Sequence, residues 1–184
     1  MLTKLKTRLA ALAAFAIVAA GGLVVGASAP AEATYYSGGV GTNQFSVQIT
    51  GVNSTWNGYL KNGITKWSAT YSETGTSIAN SSNSPRKMTA SNYNTTWLGL
   101  YTPSGTRSNR SFTIKANASR INDMTGGTFA RWAKFTSTHE LGHALSLADN
   151  PNTTRASVMK YRAASSDPGS TPYSYDRDEV VRIY

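Results

Sequence analysis

Both histidines of this 184-residue chain fall within one five-residue stretch, His139-Glu140-Leu141-Gly142-His143. Helical geometry puts residues four apart one turn apart on one face, so the spacing lets both imidazoles reach a single tetrahedral ion. Glu140 then lies at the side of that face, within reach of a water bound to the ion. Plotted as a helix, the surrounding segment places Phe129, Trp132 and Thr136 on the histidine side and Leu141 and Leu145 opposite. A helix apolar on both faces is a buried one, which suits the floor of a cleft better than a solvated surface.

Two histidines do not close the inner shell of a zinc ion, and the chain has neither a third histidine nor a cysteine. The next protein donor is therefore a carboxylate or something weaker. Asp149 lies six residues after His143, past the expected helix end and just before Asn150-Pro151. Glu179, in the C-terminal segment, is the competing donor, and a plain turn-capping aspartate is the other role open to Asp149. Asp123, Asp167, Asp176 and Asp178 are the carboxylates available for a calcium ion, at spacings that match no established calcium loop.

The first 33 residues have the composition of an export signal. Lys4, Lys6 and Arg8 precede an Ala/Leu/Val run from Leu9 to Val25, and Ala31-Glu32-Ala33 offers a small-residue cleavage site. The run is short for a membrane span and is interrupted by glycines. Residues 34–184 are then expected to form one secreted domain, free of the membrane after cleavage and monomeric. The Ala-rich leader and the lack of cysteine point to bacterial export. The formal charge of +9 loses two net positives with the leader, and the remaining basic residues are scattered. Without a basic run or a nucleic-acid module, nucleic-acid binding is not expected.

Apolar periodicity outlines the rest. Phe45, Val47 and Ile49 alternate with polar residues as a strand, and Trp56, Tyr59, Leu60, Ile64 and Trp67 fall at helical spacing behind Ser54 and Thr55 as caps. Strands are expected near Ala69–Tyr71, Arg86–Ala90, Trp97–Tyr101 and Phe112–Ala116, with a turn at Asn122-Asp123. A long helix should run from Thr128 to about Leu145, and a last one should follow Ser174 as its cap. That order predicts an α+β fold, with an N-terminal, a central and a C-terminal helix packed on one small mixed, twisted sheet.

The stretch His139–Asp149 resembles the elongated zinc-binding motif of the metzincin metallopeptidases. Its aspartate at the third ligand position is similar to the snapalysin branch, small secreted neutral proteases. Ser157-Val158-Met159-Lys160-Tyr161 resembles the Met-turn, and Asp176–Tyr184 is similar to the closing helix of matrixin-type members. The resemblance implies that His139, His143 and Asp149 bind zinc. It makes Glu140 the general base and then the proton donor, and puts Met159 beneath the ligands. Tyr161 is then a fifth ligand or an oxyanion-stabilising hydroxyl, unless it is a packed aromatic. Substrate would lie extended along an edge strand, for which Trp97–Tyr101 is the candidate, and Lys160–Ala164 would wall the pocket after the scissile bond. Ser146 departs from the family pattern, which has glycine there.

Three functions fit these residues. The first is a secreted endopeptidase acting on proteins or peptides. The second is a cell-wall or carbohydrate-binding module with a structural zinc, which would have no use for Glu140 and would want a fourth protein ligand. The third is a zinc hydrolase acting on peptidoglycan cross-links.

Overall fold

Strand β1 (Gln44–Ile49) buries Phe45 and Val47 on one face, as their alternation with polar neighbours requires. A computed structural model of the chain describes residues 35–184, so the expected export signal lies outside the described residues. Helix α1 (Ser54–Ser68) turns Leu60, Gly63, Ile64 and Trp67 inward. Its cap is Asn53, whose side chain accepts from Trp56 N at 3.0 Å, rather than Ser54 or Thr55, which are already helical.

No strand forms at Ala69–Tyr71. The Thr70 hydroxyl binds the Trp67 carbonyl at 2.7 Å and turns the chain into the one-turn helix α2 (Tyr71–Thr74). Strand β2 comes later, at Ser77–Asn80, followed by β3 at Lys87–Ser91. β4 spans Gly99–Ser104, shifted from the expected Trp97–Tyr101. The cause is Asn117, whose amide side chain donates to the carbonyls of Tyr93 (3.0 Å) and Trp97 (3.2 Å) and accepts from Tyr93 N (3.1 Å). Those bonds satisfy the 93–97 backbone as a loop.

β5 (Ser111–Asn117) runs directly into α3 (Ala118–Thr125), where a turn was expected at Asn122-Asp123. Asn117 caps this helix through Arg120 N, and Ile121 anchors it in the core. The long helix α4 covers Phe129–Ala144, and α5 covers Ser174–Ile183. Ser174 opens α5 rather than capping it, and Asp176 reaches back to Tyr173 N at 2.8 Å.

The five strands form one mixed sheet in the order β2-β1-β3-β5-β4, parallel except for β4, which runs antiparallel along β5. This is the α+β arrangement expected from the sequence, with an N-terminal, a central and a C-terminal helix. α4 crosses the sheet against α1. Trp67 Nε1 donates to Thr138 O at 2.8 Å, and Ser137 Oγ donates to Leu60 O at 2.7 Å. These bonds satisfy polar groups inside a core built on Trp67, Leu60, Met88, Ile114, Trp132 and Leu141, where each unpaired group would cost about 1–3 kcal/mol. At the far edge of the sheet, Ser68 Oγ donates to Ile78 O (3.2 Å) and accepts from Ile78 N (3.0 Å), closing the outward side of β2.

Candidate metal centre

α4 is buried almost all round, and its last two turns carry the HExxH residues. The rings of His139 and His143 lie 5.1 Å apart at 86°. Each Nδ1 meets a backbone carbonyl, His139 that of Val158 at 3.0 Å and His143 that of Leu147 at 2.8 Å. A carbonyl accepts only, so Nδ1 carries the proton and the lone pair of each neutral ring sits on Nε2. Both Nε2 atoms face Asp149 Oδ1, at 2.9 and 3.5 Å. One donor atom from each of the three residues lies within 4.8 Å of the others, the one such group of three among the described residues.

The chain reaches Asp149 through a tight helix exit. Ser146 N donates to His143 O at 3.0 Å and Leu147 N to Gly142 O at 3.0 Å, the paired bonds of a Schellman motif. Ser146 occupies its left-handed position with φ 65°, where a non-glycine residue costs about 1 kcal/mol. The serine is fully buried, and its hydroxyl accepts from Arg107 Nη1 at 2.6 Å. A hydrogen bond to a charged group is worth about 1.5–3 kcal/mol, enough to offset the strain.

The segment after Asp149 passes beneath the helix. Asn150 N donates to Met159 O at 2.8 Å, and Met159 is buried with its sulfur against Gly142. Asp176, read from the sequence as a carboxylate free for calcium, is instead fully buried. It accepts from Ser157 Oγ at 2.5 Å and Val158 N at 2.8 Å. One residue, Val158, therefore links α5 to the site, its N–H held by Asp176 and its carbonyl orienting His139. Asp167 and Asp178 face Arg131 and Arg155, and Glu179 pairs with Arg182.

Glu140 is buried between α4 and β4. A β-carbon at Gly99 would lie 2.7 Å from the Glu140 carboxyl carbon and 2.6 Å from the Thr136 methyl. Burial pushes the Glu140 carboxyl up to about 7, with His139 pulling the other way. Burial also lowers the pKa of His143, together with the neighbouring His139. For His139 burial opposes the charged ring, but the Asp149 hydrogen bond and the charges of Glu140 and Asp149 outweigh it and raise the pKa. Asp149 titrates low despite its burial, because both rings favour its charged form.

A cleft of about 560 Å³ opens over these groups, lined by Trp97–Tyr101, by Trp132, Phe135 and Thr136 of α4, and by Lys160–Arg162. Tyr161 stands at its rim, 70% exposed. Tyr36 also lines the cleft, with its ring edge-on to His143 at 5.4 Å. Sequence reading missed Tyr36, Gly99 and Arg107, since no local pattern marks a residue whose partner lies far along the chain.

No protein-family model matches the chain, and no curated protein matches it. Among solved structures it is similar to that of myroilysin, at 15% identity over 82% of each chain with a TM-score of 0.49. It is similar to archaemetzincin from Methanopyrus kandleri at 12% identity, over 79% of this chain and 96% of that one, with a TM-score of 0.48. It is also similar to the GM1-bound form of the ECX AB5 holotoxin at 13% identity, over 81% of this chain and 72% of that one, with a TM-score of 0.43.

Proposed function

We propose that this chain is a secreted zinc endopeptidase of the metzincin type, similar in ligand set to the snapalysin branch. The observation that carries this reading is the convergence of two carbonyl-anchored imidazoles and one carboxylate, with a second, buried carboxylate beside them in an open cleft. The donor set fits zinc. Two Nε2 lone pairs and one carboxylate oxygen would hold the ion, one protein donor fewer than structural zinc sites use, as in catalytic sites. Backbone acceptors on both Nδ1 atoms supply the outer shell that such histidines need.

Zinc, when bound, acts as a Lewis acid toward the scissile carbonyl and makes water more acidic. The protein's own groups do the rest. Glu140, buried against Gly99 of β4, takes the proton of the attacking water and passes it to the departing amine nitrogen. A peptide lying extended beside β4, the open edge strand, brings its carbonyl over Glu140. Tyr161 at the cleft rim is available to the oxyanion. Residues 1–33 are the export signal in this reading, and the domain acts as a monomer.

Purified protein should contain about one zinc per chain; a chelator should abolish hydrolysis of denatured protein, and added zinc should restore it. Zinc-free protein whose proteolysis is indifferent to chelators would overturn the reading. Gly99→Ala tests the seat of the base. Its β-carbon displaces the Glu140 carboxylate, so kcat/KM should fall by about 10²-fold while zinc content stays at the parental level. Unchanged kcat/KM would mean that the edge strand moves aside instead.

A further inference from the structure

The exit from α4 is the place where the sequence departs from the family pattern, and the structure gives the Ser146 hydroxyl a partner that a glycine there would lack. Every polar atom of Ser146 has a partner. Its N–H goes to His143 O, its carbonyl accepts from Tyr36 N at 2.8 Å, and its hydroxyl accepts from Arg107. The Tyr184 hydroxyl lies 3.3 Å from the same Oγ and donates to Val40 O at 2.8 Å. Val40 N in turn donates to Ala144 O at 2.9 Å, and Tyr35 bridges Leu147.

Arg107 is held in place from several sides. It opens a short 3-10 turn, Arg107–Asn109, fixed by Thr106 N donating to Asn109 Oδ1 at 3.0 Å. Its guanidinium stands 5.4 Å from the Tyr35 ring and 5.3 Å from the Tyr184 ring. A planar cation flanked by two rings has few orientations left, so its donor arrives at Ser146 already aimed.

We propose that Arg107 is a positioning residue for the third metal donor. It stabilises Ser146 in the left-handed conformation through the Nη1–Oγ bond, and so presets the turn that delivers Asp149 to the Nε2 atoms of His139 and His143. Glycine reaches this conformation freely and needs no such support; serine does not, and Arg107 supplies it. The serine and the arginine thus form one unit, split between the helix exit and the loop after β4, 39 residues apart. The inference rests on the zinc reading of the site, but it concerns how the ligand turn is set and not what reaction follows.

A double-mutant cycle on zinc affinity, measured by competition with a chromophoric chelator, tests it directly. Arg107→Ala should raise the zinc dissociation constant about tenfold in the parent, the loss expected for one charge-assisted hydrogen bond. In a Ser146→Gly background the same change should cost less than about twofold, because the turn no longer needs holding. Ser146→Ala, which keeps the β-carbon but loses the acceptor, should match Arg107→Ala; it reads the same contact if Arg107→Ala does not fold. Equal losses in both backgrounds would show that Arg107 acts through Tyr35 or Tyr184 instead and overturn the proposal. An unchanged affinity in Arg107→Ala and Ser146→Ala would overturn it as well. A parent that binds no zinc would sink the metal reading itself, an outcome distinct from either.

Discussion

Glu140→Gln is expected to keep its zinc and lose about 10²–10⁴-fold in turnover, the contribution of a well-placed general base. The glutamine side chain matches the carboxylate in size, so Gly99 still accommodates it. What it lacks is a lone pair basic enough to take a proton from water. The measurement pairs kcat/KM on denatured protein with metal analysis of the same sample. Turnover within a few-fold of the parent would mean that the base is another group, and zinc loss would move Glu140 from the chemistry to the scaffold.

Asp149→Ala should weaken zinc binding by more than about 100-fold. Outer-shell partners of metal ligands are typically worth 10–100-fold, and a lost inner donor exceeds that. The apo protein should change far less. Asp149 has a half-exposed side chain, and its pairing with the two rings contributes little to folding once solvent screens it. Zinc affinity and apo melting temperature together separate the two roles. Parental zinc affinity in Asp149→Ala would return the search to another carboxylate, although Glu179 and Asp167 are already paired with Arg182 and Arg131 on the surface.

The parts of the fold legible in the sequence were those governed by local period. α4 was readable because a long helix apolar on both faces follows the Gly126-Gly127 pair, and its period carries to about Leu145. The convergence of His139, His143 and Asp149 was readable for a related reason, since a single helix and its exit bring them together. The Asn117 network was not readable. One side chain there replaces a ladder for the 93–97 backbone and caps α3, and neither role leaves a trace in apolar spacing. Asp176 looked like any acidic residue in a first helical turn, and only the chain's return placed Ser157 and Val158 against it. Ser146 was legible as a departure from the family's glycine, but the guanidinium that binds its hydroxyl was 39 residues away.

The two rims of the sheet are treated differently. Along β2 the outward amide and carbonyl of Ile78 are both taken by one serine hydroxyl, so a passing strand finds nothing there to pair with. Along β4 the rim stays open beside the cleft, but only for a short stretch. Pro103, near its end, has no N–H to give. A second copy of the sheet seeking edge-to-edge contact therefore meets a rim blocked at Ile78 on one side and one interrupted at Pro103 on the other. What the open stretch can still accommodate is a few residues of extended chain, laid down next to the one carboxylate that would act on them.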